Sequence, residues 1–205
     1  MFISFEGIDG SGKSTQIKLL RNYLLTLGYD VITIREPGGT PLSEQIRSIL
    51  LSNKFEISSV TELLLFEAAR SNLVEKVIKP ALDSGKIVIC DRFFDSTTAY
   101  QGFGRGLSIE DVVYCHKIAT AGLKPDITFF LNVTIATSNF RSMNRMMDRI
   151  ESAGDDFFAR VNQGFHEIAK SEPDRIFIID SENKINDTQT KIIEILRQKF
   201  PEQKF

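Results

Sequence analysis

The sequence predicts an α/β fold in which one parallel sheet of five strands carries helices on both faces. Short apolar runs alternate with longer runs of helical period along the whole chain. The run over residues 87–91 has no polar alternation, which is typical of a central parallel strand buried on both faces. At 205 residues the chain is long enough for one good core, so we expect residues 1–205 to form a single domain.

The first strands and helices begin and end at recognisable local signals. Strands are expected over residues 2–5 and 31–34, and apolar residues at helical spacing predict a helix over residues 13–27 between them. Thr40 can cap the next helix, with Pro41 in its first turn. The succession of strand, helix, strand and helix is the order that a parallel sheet requires.

The second part of the chain continues this alternation. The stretch over residues 59–62 looks like a capping box that opens a helix, and the helical period runs on until Gly85. The remaining predicted elements are strands over 87–91, 127–131 and 175–180, a helix that begins near Ser108 and a last helix over 187–200.

Composition places the chain among ordinary globular proteins. Apolar residues make up 42% and charged residues 25% of the sequence, and the net charge of −2 argues against a large nucleic-acid-binding face. Cys90 and Cys115 are expected to be free thiols in a reducing compartment. No apolar run approaches the roughly 18 residues that a membrane span requires, and no basic targeting segment opens the chain. We therefore expect a soluble cytoplasmic protein with no nucleic-acid or membrane partner.

A glycine-rich stretch near the start of the chain fits the phosphate-binding pattern G-x-x-x-x-G-K-[ST]. Its residues are Gly7, Ile8, Asp9, Gly10, Ser11, Gly12, Lys13 and Ser14. Because it lies between a predicted strand and a predicted helix, backbone N–H groups and the positive end of the helix dipole can surround a phosphate. Lys13 would then reach the β and γ phosphates, and Ser14 would bind Mg²⁺. The alternative is a glycine-rich turn with a chance lysine.

An acidic and a basic residue stand at the end of the predicted strand over 87–91. Ligands of open α/β sheets bind at the carboxyl ends of the strands, so we expect Asp91 to lie beside the glycine-rich stretch. Asp91 can hold the water shell of Mg²⁺, and Arg92 can bind a phosphate with two parallel hydrogen bonds. The alternative is a structural ion pair at a strand end.

Two further groups of side chains indicate recognition of a planar base. Phe66 and Arg70 are four residues apart on one predicted helix and so project from the same face. The ring could stack on a base while the guanidinium binds a carbonyl of that base, although Phe66 alone could equally belong to the core. The polar residues over 95–102 could contact the base edge and the sugar, or could simply cap a loop.

The segment over residues 140–156 breaks the regular alternation. It carries Arg141, Arg145 and Arg149 with little apolar period. Such a segment is often a solvated helix end. In a phosphate-loop protein, however, it predicts a mobile lid, here at about residues 141–155, that brings arginine to the transferring phosphoryl group.

Taken together, these motifs resemble the thymidylate kinase family, whose members phosphorylate dTMP. They follow one another in the order and approximate spacing of that family, over nearly the whole chain: the glycine-rich stretch, Arg35-Glu36-Pro37-Gly38-Gly39-Thr40, Leu65-Phe66 with Arg70, Asp91-Arg92-Phe93, Ala99-Tyr100-Gln101-Gly102 and Asp148-Arg149-Ile150-Glu151. The resemblance implies a three-layer P-loop nucleoside monophosphate kinase fold, the substrates ATP and dTMP, the cofactor Mg²⁺ and a homodimer.

The resemblance also implies a role for individual residues. The implied ATP-binding residues are Gly7, Ile8, Asp9, Gly10, Ser11, Gly12, Lys13, Ser14 and Thr15. The implied dTMP-binding residues are Asp9, Glu36, Arg47, Phe66, Arg70, Arg92, Thr97, Tyr100 and Gln101. Metal binding is expected from Ser14 and Asp91, and catalysis from Lys13, Arg92 and Arg149. The loop over residues 180–183 is expected near adenine.

One position separates two branches of the resembled family. One branch carries an arginine directly after the acidic residue of the phosphate loop, where this sequence has Gly10. The chain therefore resembles the branch in which catalytic arginines come from the lid. Arg149 is the firmest match there, while Arg141 and Arg145 cannot be given separate roles.

Two alternative functions are kept open. The nearest is a kinase for another nucleoside monophosphate or for a nucleoside. A more remote one is a nucleotide-dependent switch or binding module that hydrolyses GTP, which predicts an Asn-Lys-x-Asp motif after a late strand. Asn183-Lys184 is followed by Ile185-Asn186, so the aspartate of that motif is missing.

Overall fold

The computed structural model describes residues 1–143 and 147–205. Within these residues, five strands form one parallel sheet: β1 (Phe2–Glu6), β2 (Val31–Arg35), β3 (Ile87–Asp91), β4 (Ile127–Asn132) and β5 (Ile176–Asp180). Their order in the sheet is β2-β3-β1-β4-β5, and every neighbouring pair is parallel. The predicted five-stranded parallel sheet is confirmed.

The helices occupy the connections between these strands, and a last helix follows β5. They are α1 (Lys13–Thr26), α2 (Pro41–Leu51), α3 (Ser59–Leu73), α4 (Lys79–Asp83), α5 (Phe94–Thr97), α6 (Ile109–Thr120), α7 (Ile135–Ser142), α8 (Asp155–Ser171) and α9 (Ile185–Lys199). Shorter π-helical segments, Val74–Ile78 and Thr98–Gly104, follow α3 and α5, and the 3₁₀ turn Glu151–Ala153 precedes α8. None of the helices in the described ranges combines the length and the apolar character that crossing a membrane requires.

The sheet forms the middle of three layers. Helices α1 and α9 pack on one face, against side chains that include Ile3, Phe5 and Ile89. Helices α3, α4 and α8 cover the other face, against side chains that include Val88 and Phe130. Because successive strand residues point to opposite faces, a sheet covered on both faces needs apolar residues throughout. This is the physical reason for the uninterrupted apolar runs in the sequence.

The parallel register brings the two sequence motifs to one edge of the sheet. Strands β1 and β3 are neighbours, with Phe5 opposite Asp91. Since the glycine-rich stretch follows β1 and Asp91 ends β3, both lie at the carboxyl edge, as the sequence predicts.

The helix caps agree with the sequence in one case and differ in another. Thr40 caps α2 as predicted, since its side chain accepts a hydrogen bond from the N–H of Ser43. The capping box expected over residues 59–62 is wrong by one residue, because Ser58 provides the cap of α3. Glu62 cannot complete a capping box at the helix end, because its side chain turns inward and is 0% exposed.

Some element boundaries also differ from the expectations. Helix α9 begins at Ile185, two residues before the predicted start, and β5 begins at Ile176 rather than at residue 175. Helix α8 has no counterpart among the predicted elements, although Phe157, Val161 and Phe165 are buried at a spacing of four. That period was available in the sequence and is the signal by which α8 could have been found.

Candidate active site

The glycine-rich stretch connects β1 to α1 in a conformation that needs glycine. Gly10 and Gly12 have φ angles of 72° and 94°, which residues with a side chain rarely adopt. A β-carbon at Gly10 would also lie 2.9 Å from the carbonyl oxygen of Ser138 on α7. An arginine at position 10 would therefore be strained in this conformation of the loop, which agrees with the glycine found there.

The first turn of α1 provides a site for an anion. Its cap residue, Gly12, makes no side-chain capping hydrogen bond, and no acidic residue lies in the first turn. Backbone N–H groups at such a helix end lack partners within the helix and attract negative charge. Nothing on α1 itself competes with a phosphate for this position.

Lys13 is held inside this loop rather than extended into solvent. It is 6% exposed, and its Nζ donates hydrogen bonds to the carbonyl oxygens of Gly7 at 2.9 Å and Ile8 at 3.0 Å. Burial lowers the pKa of the Lys13 ammonium to about 8, and the nearby Arg92 acts in the same direction. The lysine is therefore a cation that lacks full solvation and gains a partner when a phosphate enters the loop.

Ser14 and Asp91 form the part of the site that suits a magnesium ion. The Ser14 hydroxyl donates to Asp91 Oδ2 at 3.2 Å, so one neutral and one acidic oxygen lie together beside the loop. The described residues contain no cluster of three or more acidic, histidine or cysteine side chains that could hold a metal alone. Magnesium bound to a nucleotide needs no such cluster, because phosphates and waters supply most of its ligands.

Arg92 has an unusual backbone conformation that several contacts stabilise. Its φ angle is 71°, a region that costs a residue with a side chain about 1–2 kcal/mol. The thiol of Cys90 donates to the Arg92 carbonyl oxygen at 2.8 Å, and the next N–H, that of Phe93, donates to Glu6 Oε1 at 2.7 Å. Burial raises the pKa of the Glu6 carboxyl to about 7.

This backbone turn aims the Arg92 guanidinium at the glycine-rich stretch. Nη1 donates to the carbonyl oxygen of Gly7 at 2.8 Å, and Nη2 donates to Asp9 Oδ1 at 3.1 Å. The guanidinium also lies 5.1 Å from the centre of the Tyr100 ring. Arg92 thus connects the phosphate-binding loop with the polar stretch that follows β3.

Two cavities meet at this arginine. The loop cavity, of about 1400 Å³, opens over the glycine-rich stretch, and the side cavity, of about 660 Å³, lies between α2, α3 and the segment after β3. Four side chains line both cavities: Asp9, Glu36, Arg47 and Arg92. A group bound in one cavity can therefore face a group bound in the other across Arg92.

The side cavity contains all nine residues that the resemblance assigns to dTMP. They are Asp9, Glu36, Arg47, Phe66, Arg70, Arg92, Thr97, Tyr100 and Gln101. Sequence reasoning missed several other lining residues, namely Pro37, Leu51, Phe93, Ser96, Asp148, Ile150 and Glu151. Asp148, Ile150 and Glu151 belong to the stretch Asp148-Arg149-Ile150-Glu151, in which the resemblance implies a role only for the arginine.

Arg70 lies at the base of the side cavity, where its guanidinium is buried and each of its three nitrogens donates a hydrogen bond. It is 2% exposed, its Nε donates to Glu36 Oε2 at 2.8 Å, and its Nη2 donates to Thr97 Oγ1 at 2.8 Å. Nη1 donates to Glu67 Oε1. Two carboxylates thus explain how an arginine can be buried here. The rigid guanidinium keeps one N–H of Nη1 for a ligand.

One buried oxygen atom of the side cavity, Glu36 Oε1, has no hydrogen-bond partner within residues 1–143 and 147–205. Buried polar atoms are normally hydrogen-bonded, and leaving one unpaired costs about 1–3 kcal/mol. Glu36 lines the side cavity, so the cavity suits a ligand that can donate a hydrogen bond there.

The loop cavity contains six of the nine predicted ATP-binding residues, namely Asp9, Gly10, Gly12, Lys13, Ser14 and Thr15. Gly7, Ile8 and Ser11 do not line it, because they lie behind Lys13 and accept its hydrogen bonds. From the predicted adenine loop, Ser181 and Asn183 line the cavity. Glu182 does not, because its carboxylate accepts hydrogen bonds from Thr134 and Thr137.

The arginines of the expected lid lie in different places. Arg141 lines the loop cavity, where its Nη1 donates to the carbonyl oxygens of Gly10 and Ser181, both at 3.2 Å. Arg149 lines neither cavity: its Nε donates to the Leu50 carbonyl oxygen at 2.9 Å, and its Nη2 lies 2.6 Å from Glu62 Oε2. Arg145 lies outside the described residues. This arrangement brings Arg141, but not Arg149, to the phosphate-binding loop.

Comparisons with known proteins agree with this site. A family model described as "Thymidylate kinase" matches residues 5–192. The chain is 46% identical to a thymidylate kinase of Chlorobaculum parvum, over 96% of this chain and 95% of that protein, and 47% identical to one of Kosmotoga olearia, over 94% and 93%. It is also similar to the crystal structure of thymidylate kinase from Ehrlichia chaffeensis, with a TM-score of 0.80 and 39% identity over 96% of this chain and 98% of that one.

The fold and the sequence similarity therefore agree over nearly the whole chain. The sheet order and the flanking helices are those of a three-layer P-loop nucleoside monophosphate kinase fold, as expected from the sequence. On this evidence, the chain belongs to the thymidylate kinase family.

Proposed function

We propose that the protein transfers the γ-phosphoryl group of ATP directly to dTMP, giving dTDP and ADP. The observation that carries this proposal is the junction of the two cavities at Arg92 and Asp9. A triphosphate in the loop cavity and a nucleotide in the side cavity would present their phosphates to each other there. Family membership supports dTMP as the acceptor.

In the loop cavity, the triphosphate would bind along the glycine-rich stretch. Lys13 would exchange its carbonyl contacts for phosphate oxygens, and the N–H groups at the start of α1 would donate to the same phosphates. Ser14 would bind Mg²⁺ directly, and Asp91 would hold its water shell. Magnesium would supply positive charge that partly neutralises the phosphate oxygens.

In the side cavity, thymine would lie on Phe66, whose ring is partly exposed to the cavity. Arg70 would donate to a base carbonyl, while Thr97 and Gln101 would complete the contacts to the base edge. The unpaired oxygen of Glu36 would accept a hydrogen bond from the sugar hydroxyl, and the Tyr100 ring would lie beside the sugar. The dTMP phosphate would then meet Arg92 and Arg47 at the junction of the cavities.

The reaction needs alignment and positive charge more than it needs a base. A nucleoside monophosphate is already ionised near neutral pH, so its phosphate oxygen can attack without losing a proton to the protein. The chain has two histidines, His116 and His166, and neither lines the loop cavity or the side cavity. Lys13 and Arg92 would hold the two phosphates in line and stabilise the charge in the transition state.

We further propose that the segment over about residues 141–155 acts as a lid that contributes arginine to the phosphoryl group. Arg141 supports this because it already contacts the glycine-rich stretch. For Arg149 the proposal requires the guanidinium to leave Glu62 once both nucleotides are bound. Arginine in this role would compensate for Gly10, which leaves the phosphate loop without an arginine of its own.

A substrate panel tests the proposed function. Turnover is measured with ATP and Mg²⁺ for dTMP, dUMP, dCMP, dGMP and thymidine at equal concentrations. We expect the highest kcat/KM for dTMP. Strong turnover of thymidine or of another monophosphate with none of dTMP would contradict the proposal and would favour a different nucleotide or nucleoside kinase.

The binding of ATP is expected to weaken above pH 8. Lys13 attracts phosphate only in its protonated form, and burial lowers its pKa to about 8. A lysine with that pKa is about nine-tenths protonated at pH 7 and about one-tenth protonated at pH 9. We therefore expect KM for ATP to rise roughly tenfold between these pH values. A constant KM for ATP over this range would contradict the role of the Lys13 charge, and KM for dTMP serves as the control.

A homodimer is proposed to form through α3 and α6. These helices pack against each other, and both expose large apolar side chains: Val60 and Leu64 on α3, Tyr114 and Ile118 on α6. Ile118 is 67% exposed, and such residues are costly to leave in water when they lie together. Ile118→Glu should convert a dimer to a monomer in sedimentation equilibrium, whereas Leu25→Glu on α1 should not. A wild-type monomer at micromolar concentration would contradict the proposal.

A further inference from the structure

Glu62 is a buried carboxylate that contacts three side chains from two other segments of the chain. It lies on α3 and is 0% exposed. Its Oε1 accepts hydrogen bonds from Gln101 Nε2 at 2.9 Å and Arg105 Nε at 3.0 Å. Its Oε2 accepts from Arg105 Nη2 at 3.2 Å and lies 2.6 Å from Arg149 Nη2. Glu62 lines neither cavity, so any effect on a ligand there must pass through one of these neighbours.

The contacts keep Glu62 ionised. Burial acts to raise the pKa of its carboxyl, but hydrogen bonds from Arg105 and Gln101 outweigh burial and lower the pKa below its usual value. An ionised carboxylate can only accept hydrogen bonds. The end of the Gln101 amide that faces Glu62 must therefore be the NH₂ group.

This constraint decides which atom Gln101 offers to the side cavity. Gln101 is 1% exposed and lines that cavity. With Nε2 turned to Glu62, the amide oxygen Oε1 is left for a ligand, and no donor in the described residues bonds to it. A glutamine without such a partner could turn its amide over and present either group.

The orientation of this amide distinguishes one class of pyrimidine from another. Thymine and uracil carry an N–H at ring position 3, whereas cytosine has an unprotonated nitrogen there. An amide oxygen can accept a hydrogen bond from the N–H of thymine or uracil. Opposite cytosine, the same oxygen faces a ring nitrogen that is itself an acceptor. A site that matches a donor rejects an analogue that lacks it, because a buried polar group is then left unpaired.

We infer that Glu62 is a positioning residue for base selection: it fixes the Gln101 amide with its oxygen toward the base and thereby favours thymine over cytosine. The inference rests on the proposed binding of dTMP in the side cavity. It adds a residue that touches no substrate, lies 39 positions from Gln101 in the chain and controls specificity through that one side chain.

The test is the ratio of kcat/KM for dTMP to kcat/KM for dCMP in Glu62→Gln. The introduced amide can donate as well as accept, so Gln101 is free to turn over. We expect the ratio to fall about tenfold, since about 1.4 kcal/mol of discrimination corresponds to that factor. Arg70 still opposes the amino group of cytosine, so part of the preference should remain. If Glu62 were only structural, both constants would fall together and the ratio would stay unchanged, which would overturn the inference.

Two control variants show whether the effect passes through Gln101. In a Gln101→Ala background, Glu62→Gln should change the ratio by less than about twofold, because the side chain on which it acts is gone. Arg160→Gln removes an arginine that donates to the Gly104 carbonyl oxygen and lies outside both cavities, and it should leave the ratio close to that of the wild type. An equal loss of discrimination with and without Gln101 would contradict the proposed route.

A crystal structure with dTMP tests the inference without any Glu62 variant, should Glu62→Gln fail to fold. We expect Gln101 to keep its contact with Glu62 while its other amide atom lies within hydrogen-bond distance of the base. A Gln101 side chain that leaves Glu62 when dTMP binds would overturn the inference. Wild-type protein that shows no preference for dTMP would instead contradict the proposed function itself, so the two failures are distinguishable.

Discussion

Lys13→Met is expected to lower kcat/KM for dTMP phosphorylation by about 10³-fold or more. The lysine ammonium lies inside the phosphate-binding loop, where it is held between the carbonyl oxygens of Gly7 and Ile8. Methionine keeps most of the apolar stem but removes the charge that a phosphate would meet. The loss should appear in the initial rate of ADP formation, measured as a function of dTMP concentration at a fixed high concentration of ATP.

The matched control for this variant is Lys18→Met. Lys18 is an exposed lysine on the same helix and lines neither cavity. It should keep kcat/KM within about twofold of the wild type, because surface substitutions of this kind have small effects. Similar losses in the two variants would show that the effect comes from altered net charge or helix stability rather than from the phosphate site.

Arg149→Ala is expected to lower kcat by about 10³-fold while the dissociation constant for dTMP changes less than about threefold. The expectation follows from the proposed lid, since an arginine that acts on a transferring phosphoryl group contributes about 10³ to 10⁵ in rate. The structure holds the guanidinium between the Leu50 carbonyl oxygen and Glu62. The prediction therefore also requires the Arg149 guanidinium to leave Leu50 and Glu62 during turnover. Single-turnover rates and equilibrium binding of dTMP separate the two effects.

Arg160→Ala is the control for this comparison. Arg160 also donates to a backbone carbonyl, that of Gly104, but lies on α8 outside both cavities. We expect its kcat to match the wild type. Should Arg149→Ala instead keep kcat and lose affinity for dTMP, Arg149 would be an anchor that holds the wall of the side cavity, and Arg141 would be the lid arginine that reaches the phosphates.

Much of the fold and the phosphate site could be predicted because their signals are local. The phosphate-binding pattern of the glycine-rich stretch is complete within eight consecutive residues. The apolar runs likewise identify strands that are buried on both faces. The position of Asp91 beside the loop follows from a rule about parallel sheets and needs no knowledge of particular contacts. These expectations are met by the register of β1 and β3.

Other parts could not be predicted because they depend on pairs that are distant in the chain. Arg70 can be buried because two carboxylates pair with it, and one of them, Glu36, lies 34 positions earlier in the chain. Ser59 and Glu62 have the spacing of a capping box, so the local sequence predicts a role for Glu62 at the start of α3. Nothing near Glu62 in the sequence shows that Gln101, Arg105 and Arg149 contact its carboxylate. The location of Arg149 differs from expectation for the same reason. A motif identifies the residue type, but its partner is fixed by packing.

The central claim is that one phosphoryl group passes directly between nucleotides bound in two cavities that meet at Arg92. The most direct measurement uses ATP labelled in its γ-phosphoryl group, with dTMP and Mg²⁺, followed by separation of the nucleotides and the protein. We predict that the label appears in dTDP, in equal amount to the ADP formed, with none retained on the protein. Label released as inorganic phosphate without dTDP, or label bound covalently to the chain, would contradict the account.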